Sequence, residues 1–246
     1  ARGSVPFFVS IWPRRPHSRN AWPVRVSAWP VRMGVIRGLP RRERASLATR
    51  LEAGMTVYKL TAYPKQIGLR DGRAVSVRPL ADDDADALLK FFIRLPAEER
   101  YFLKDDVTSP KVIERWTTRR DFDRALPLVA CADGGIVADA TLIRSRHGAN
   151  RNVASIRVVV AADYRYQGLG TALLRDLCDI AADAELEKVT AELVAGVQDD
   201  AIAATEQLGF IRAATIHELL RDEQGHPRDL VVMVLPLGKW YQWSQF

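Results

Sequence analysis

The feature of this sequence that most limits its fold is a glycine-containing turn between a β-rich run and a helical pattern. Val158-Val159-Val160 is typical of a buried strand, and Arg165-Tyr166-Gln167-Gly168-Leu169-Gly170-Thr171 leads into apolar residues at helical spacing. Glycines let a backbone approach a ligand closely, and the unpaired N–H groups of a first helical turn favour a diphosphate. Arg165 adds a permanent positive charge. Tight packing alone is the alternative explanation of the two glycines.

The spacing of these glycines does not fit two common nucleotide-binding motifs. A Walker loop requires Gly-Lys-Ser/Thr, which is absent from this stretch. A Rossmann fingerprint requires a third glycine, a parallel βαβ unit and an acidic residue about 20 positions further on. The third glycine is missing, and the strands before the turn have the pattern of an antiparallel meander. Neither of these two motifs therefore accounts for the turn.

The predicted elements follow the order β, αα, βββ, α, β, α, ββ, which is typical of a mixed α/β domain. The predictions are a hairpin over 65–80 around Asp71-Gly72, helices from Asp82 to Pro96 and from Ser109, strands over 126–132, 135–144 and 153–160, a helix over 166–182, a strand over 188–194, a helix over 199–208, and a closing hairpin of 211–219 with 230–235. One domain over residues 55–246 accounts for all of them.

The glycine-containing turn resembles the acyl-CoA-binding motif of the GNAT superfamily of N-acetyltransferases, Gln/Arg-x-x-Gly-x-Gly/Ala. Here the motif stands as Arg165-Tyr166-Gln167-Gly168-Leu169-Gly170. Glu206-Gln207-Leu208-Gly209-Phe210 is similar to the family's Leu-Gly-Phe ending of the next helix, and the resemblance covers about residues 63–237. The stretches 63–80 and 94–102 look closest to the bacterial branch that resembles protein-lysine acetyltransferases. The resemblance implies a mixed, mostly antiparallel sheet with helices on both faces and a V-shaped split between two parallel strands.

The resemblance also implies a site for acetyl-CoA as co-substrate, without a metal. Main-chain groups of Val158 and Val160 would bind the pantetheine arm in the split. The Val160 N–H would stabilise the oxyanion as an amine attacks the thioester directly. The diphosphate would be held at the turn by Arg165, Tyr166, Gln167, Gly168, Leu169, Gly170 and Thr171.

Two further residues are candidates for proton transfer. A lysine-like amine has a pKa of about 10.4, so a base helps it to attack, and Glu192 in the strand 188–194 is the candidate. The alternative is that Glu192 is a solvated strand carboxylate. Thr205 stands where many family members have a Tyr that protonates the departing thiolate. Because a Thr hydroxyl is a far weaker acid, this departure affects the general-acid step.

Charge is distributed unevenly along the chain. Residues 1–54 hold eleven Arg, two Glu and no Lys or Asp, a net charge of +9, whereas the whole chain carries +6 and the remainder therefore −3. This basic, Pro- and Trp-rich extension shows no sustained periodicity, so we interpret it as disordered or not native to the domain. An arm that binds RNA is the alternative, and it confines any nucleic-acid contact to residues 1–54.

The remaining composition limits location and cofactors. Cys131 and Cys178 are far apart, and no Cys or His stands near them at metal-ligand spacing. We therefore expect a cytoplasmic protein without a metal. The early apolar run, Val5 to Trp12, is too short to span a bilayer, so no membrane contact is expected.

These observations favour an N-acetyltransferase that moves acetyl from acetyl-CoA to a primary amine, with a protein lysine as the first acceptor class and a small amine as the second. A CoA-binding regulatory module without turnover is the alternative of another class. Binding of acetyl-CoA without transfer to any amine would identify that alternative.

Overall fold

The computed structural model describes residues 58–118 and 121–237, which form an eight-stranded sheet flanked by helices. The strands lie in the order β1-β2-β3-β4-β5-β6-β8-β7, and β5 and β6 form the parallel pair. Their bounds are β1 Lys65–Gly68, β2 Ala74–Pro79, β3 Ala125–Ala132, β4 Gly135–Arg144, β5 Val153–Val160, β6 Lys188–Val194, β7 Ile211–Arg221 and β8 Pro227–Pro236. The prediction of a mixed, mostly antiparallel sheet is confirmed.

Five α-helices and two short 3-10 helices connect these strands in the described part of the chain. The helices are α1 Ala85–Arg94, α2 Ala97–Arg100, α3 Pro110–Thr118, α4 Leu169–Asp183 and α5 Asp199–Gln207, and the 3-10 helices span Asp82–Asp84 and Ala162–Tyr164. The Asp84 carboxylate binds Arg78 through two hydrogen bonds of 2.6 and 2.7 Å and accepts the Ala81 N–H. These contacts fix the chain where it leaves β2 and enters α1.

The side chains of the central strand β3 alternate between two apolar layers. Leu126, Leu128 and Ala130 of β3 pack in the same cluster as Leu173 and Leu177 of α4. Val129, between them, packs instead with Phe92 of α1 and Ile113 of α3. Because neighbouring strand residues point to opposite faces, the sheet is covered on both sides. We call these the α4 face and the α3 face.

The parallel strands β5 and β6 separate after a short paired stretch. Their register runs from Val153 opposite Lys188 to Ser155 opposite Thr190 and ends there. Beyond this point β5 stays paired with β4 to Val160, and β6 stays paired with β8 to Val194. Each strand is therefore held on its outer side while a gap opens between them. This gap, which we call the split, confirms the predicted V-shaped opening.

The structure differs from the predicted elements at two places. The helix predicted to begin at Tyr166 begins at Leu169, because Tyr166 and Gly168 have φ values of 59° and 87°, in the left-handed region. The short helix α2 was not predicted, since Ala97–Arg100 has no apolar periodicity to indicate it. The predicted boundary of a domain at residue 55 and the basic extension 1–54 lie outside the described residues.

Candidate active site

The turn that carries the glycine motif, Arg165–Thr171, lies at the end of β5, beside the split. Gly168 is the N-cap of α4 and has φ of 87°, a conformation that glycine adopts without the steric cost of a Cβ. The first turn of α4 contains no acidic side chain. The N–H groups of Leu169, Gly170 and Thr171 belong to that turn and have no acceptor within the helix. This helix end therefore favours an anion.

Gly170 brings this turn close to the end of β5. A Cβ at Gly170 would lie 3.6 Å from Cγ2 of Val160, an ordinary contact distance. Leu169 is fully buried in the core cluster, and Val158 and Val160 pack against the same cluster. The α4 N-terminus and the strand end are thus held as one unit.

The main-chain groups of Val158 and Val160 face the split. The Ala161 N–H donates to the Val137 carbonyl at 2.9 Å, towards β4. Because N–H groups alternate along a strand, those of Val160 and Val158 point the other way, past the last β5–β6 pair. The structure therefore brings both predicted pantetheine-binding residues to the opening.

The Arg165 side chain binds protein groups instead of facing an open turn. Its Nη1 and Nη2 donate to the Glu99 carboxylate at 2.7 and 2.5 Å, and its Nε donates to the Val160 carbonyl at 2.9 Å. The hydrogen bonds to Glu99 raise the pKa of Arg165 further. Arg165 thus joins α2 to the end of β5, while its charge is balanced by Glu99.

Arg70, which no motif of the sequence indicates, lies on the glycine turn. The Arg70 N–H donates to the Gln167 carbonyl at 3.2 Å, and Nη1 donates to the Tyr166 carbonyl at 3.5 Å. Nε lies 3.9 Å from where a Cβ of Gly168 would stand.

Nearby Arg73 is bound to Asp71, and Arg165 to Glu99. Among the described arginines around this turn, Arg70 carries the charge that no carboxylate balances. No local motif links positions so distant in sequence.

Tyr166 spans the distance between the glycine turn and α5. Its hydroxyl donates to Asp200 in the first turn of α5 at 2.7 Å, while 74% of the residue stays exposed. The hydrogen bond to Asp200 raises the pKa of Tyr166. Since the turn follows β5 and α5 follows β6, this contact connects the chain beyond β5 with the chain beyond β6.

Glu192 lies on the α3 face, two residues beyond the last β5–β6 pair. Its neighbours Ala191 and Val189 point into the core of the α4 face, so Glu192 points to the opposite side. Its carboxylate accepts a hydrogen bond from Lys104 Nζ at 2.8 Å. The side chain is 46% exposed. The predicted base therefore lies at the opening and already binds a primary ammonium group.

A second ion pair lies on the α3 face of β5. Arg157 Nη2 donates to Asp139 Oδ2 at 2.9 Å, and the guanidinium lies 4.8 Å from the centre of the Trp116 ring. The Asp139 side chain is 1% exposed, and burial raises its pKa although Arg157 opposes this. Trp116 belongs to α3, so this pair fixes the helix against the strand that borders the split.

Thr205 lies in α5 with its hydroxyl turned inward. The residue is 4% exposed, and Oγ1 donates to the Ile202 carbonyl at 2.7 Å. Its proton is therefore engaged within its own helix. The role of Thr205 in protonating the thiolate stays a prediction.

Two findings concern metal and membrane. Within residues 58–118 and 121–237, the His, Cys, Asp and Glu side chains form no group of three that could hold a metal ion. None of the helices in the same ranges combines the length and apolar character required to cross a bilayer.

Comparison with known proteins agrees with this architecture. Residues 90–210 match the family model described as the Acetyltransferase (GNAT) family. No curated protein matches the chain.

The GNAT domain of S. lividans PAT is similar, with 23% identity, a TM-score of 0.60 and coverage of 72% of this chain and 98% of that one. Ribosomal-protein-alanine N-acetyltransferase from Brucella melitensis has 23% identity and a TM-score of 0.57, covering 65% and 99%. YncA from Salmonella typhimurium, solved with its cofactor acetyl-CoA, has 21% identity and a TM-score of 0.58, covering 67% and 95%. Because these identities are low, the similarity to the three structures establishes the fold alone.

Proposed function

This chain belongs to the GNAT family of acetyltransferases, and we propose that it transfers the acetyl group of acetyl-CoA directly to a primary amine, with a protein lysine as the first acceptor class. The observation that carries the proposal is the position of the glycine turn beside the split. An anion site at the α4 N-terminus and main-chain donors along β5 lie in one continuous stretch of chain. A long ligand with a diphosphate at one end and a thioester at the other fits that order of groups.

The donor site is built from main chain. The N–H groups of Leu169, Gly170 and Thr171 would hold the diphosphate, and Arg70 would add the unbalanced positive charge that Arg165 does not supply. Val158 would bind the pantetheine arm. The Val160 N–H would donate to the thioester oxygen as negative charge develops on it. This arrangement needs no nucleophilic side chain, since the amine itself attacks.

The acceptor would approach from the α3 face. In the transfer, a C–N bond forms between the amine and the acetyl carbon, the C–S bond breaks, and the amine loses a proton. We propose Glu192 as the group that accepts this proton. The contact with Lys104 supports a lysine acceptor, because it shows that the carboxylate can bind a primary ammonium group at 2.8 Å. An amino group on a small molecule is the second candidate, and a cytoplasmic location stays a prediction from the cysteine spacing.

The test is a transfer assay with the purified full chain, acetyl-CoA and a panel of lysine peptides and small amines. Release of free thiol together with acetylated amine is the expected result. Faster transfer to peptides than to any small amine would support the lysine class. Saturable acetyl-CoA binding without transfer to any acceptor would instead identify a CoA-binding regulatory module.

The role of Glu192 predicts the behaviour of Glu192→Gln. The variant should lower kcat by about a hundredfold, because general base catalysis contributes on that order, and it should lose the rise of kcat with pH that a base imposes. Acetyl-CoA affinity should not change. Glu206→Gln is the control, since Glu206 is 48% exposed and also binds a basic side chain, Arg212, away from the split. An unaltered pH profile for Glu192→Gln would remove Glu192 from this role.

A further inference from the structure

Lys104 occupies a position on the split that resembles that of an incoming acceptor amine. Its Nζ lies 2.8 Å from Oε2 of Glu192, the group proposed above to accept the amine proton. Glu192 is located where β5 and β6 have parted, two residues after Thr190. The Lys104 side chain is 77% exposed, so this ion pair, and not burial, is the contact that brings its Nζ to the split.

The backbone that carries Lys104 is anchored on both sides. Leu103 packs against the apolar cluster of the α3 face, and its N–H donates to the Arg100 carbonyl at 2.9 Å. Val107 is 2% exposed in the same cluster, and Asp106 accepts hydrogen bonds from the main chain and hydroxyl of Thr108. A long side chain on an anchored segment is thereby directed repeatedly to one place. This raises its effective concentration at Glu192 far above that of a free amine.

The other lysines in the described ranges lack this arrangement. Lys65 binds Asp176, a carboxylate of α4 that lies away from the split. The remaining ones, Lys59, Lys90, Lys111 and Lys188, form no ion pair with the described carboxylates. Lys104 is therefore distinguished by its position beside Glu192 and not by exposure alone.

We propose that Lys104 is itself an acceptor, acetylated by the acetyl-CoA bound to the same molecule. This inference rests on the proposed function. Glu192 accepts a proton from the Lys104 ammonium, and the neutral Nζ attacks the thioester carbon. The new N–C bond replaces the C–S bond, and CoA leaves as its thiolate. The nitrogen gives its second proton to that thiolate, so the products are a neutral amide on Lys104, CoA thiol and protonated Glu192. The reaction requires no other reactant.

Acetylation would change the acceptor side of the split. The amide carries no charge, so the ion pair with Glu192 is lost and the carboxylate becomes available to an external amine. Unmodified Lys104 competes for the same carboxylate. The modified enzyme should therefore have a lower KM for a cationic acceptor, with an unchanged KM for acetyl-CoA.

The experiment incubates the full chain with acetyl-CoA and no acceptor, then maps acetylated lysines by mass spectrometry over time. Lys104 should be acetylated about tenfold or more faster than Lys111, an exposed lysine of α3 without a carboxylate partner. The first-order rate constant should not depend on protein concentration, since the reaction is intramolecular. Glu192→Gln should slow the modification of Lys104 and leave that of Lys111 unchanged. Lys104→Arg should remove the fast phase, and Lys111→Arg should retain it.

Three results of the rate measurements would overturn the inference. In the first, Lys104 is modified no faster than Lys111. In the second, Lys104 is modified at the same rate in the urea-unfolded chain. In the third, the rate constant is proportional to protein concentration. If transfer to an external peptide proceeds while Lys104 stays unmodified, the inference fails and the proposed function stands. Absence of both reactions would refute the proposed function itself.

Discussion

The donor side of the split, at the glycine turn, and its acceptor side, on the α3 face, are built in different ways. On the glycine turn, the groups that would contact the donor are main-chain N–H groups within Tyr166–Thr171, and their positions follow from local backbone conformation. On the α3 face, the polar groups are side chains from separate segments that meet only in the folded chain. These side chains are Glu99, Lys104, Asp139, Arg157 and Glu192. The first side is a property of one short stretch, and the second is a property of the tertiary structure.

This difference determines which substitutions each side can tolerate. Only a substitution by proline removes a main-chain N–H, so the donor side depends mainly on the few residues that set its backbone geometry. Side-chain pairs can be removed one at a time, so acceptor preference can change while the fold and donor site stay intact. Arg165 connects the donor side with the acceptor side, because it binds Glu99 on α2 and the carbonyl of Val160.

The largest expected effect tests the side-chain pair at Asp139. Asp139→Ala should lower the free energy of unfolding by about 3 kcal/mol, because it leaves the partly buried charge of Arg157 without its partner. Asp139→Asn should cost less, since its amide oxygen can still accept from Arg157. Urea unfolding measures both variants. A loss below about 1 kcal/mol for Asp139→Ala would show that this pair contributes no more to stability than a surface ion pair does.

The same variants test whether the two sides are independent. The folded Asp139→Ala protein should bind acetyl-CoA with the affinity of the original chain, since Asp139 belongs to the α3 face. Isothermal titration at a temperature well below unfolding provides the comparison. An affinity that falls together with stability would show that the glycine turn depends on the α3 face.

The next effect concerns the backbone geometry of the glycine turn. Gly168→Ala should raise the Kd for acetyl-CoA by about tenfold, because a Cβ disfavours a φ of 87° by about 1–2 kcal/mol and binding must restore that conformation. Gly148→Ala is the matched control, since Gly148 has φ of 85°, no atom lies within 4 Å of its Cβ position, and it lies in the β4–β5 loop. A Kd change for Gly168→Ala with none for Gly148→Ala would support the turn's role. An unchanged Kd would refute it.

The contrast between the two sides also sets how much the sequence could predict. The turn Asp133-Gly134, the meander β3–β5 and the glycine motif are local patterns, and the structure has all three. The start of α4 was predicted three residues too early, because its apolar pattern does not reveal the left-handed conformation of Tyr166. The pairing of Arg165 with Glu99, and the approach of Arg70 to Gln167, join positions 66 and about 100 residues apart. Local spacing carries no information on such contacts.

The smallest expected effect separates the two glycines of the motif. A Cβ at Gly170 would meet Val160 Cγ2 at 3.6 Å, an ordinary contact, and Gly170 lies in the first turn of α4. Gly170→Ala should therefore change the Kd for acetyl-CoA by less than about twofold and raise stability by up to about 1 kcal/mol, because Ala favours a helix. Thermal unfolding and titration measure both quantities. If Gly170→Ala weakens binding as much as Gly168→Ala, then close approach of the ligand, and not the conformation of the backbone, is what the glycines of this turn provide.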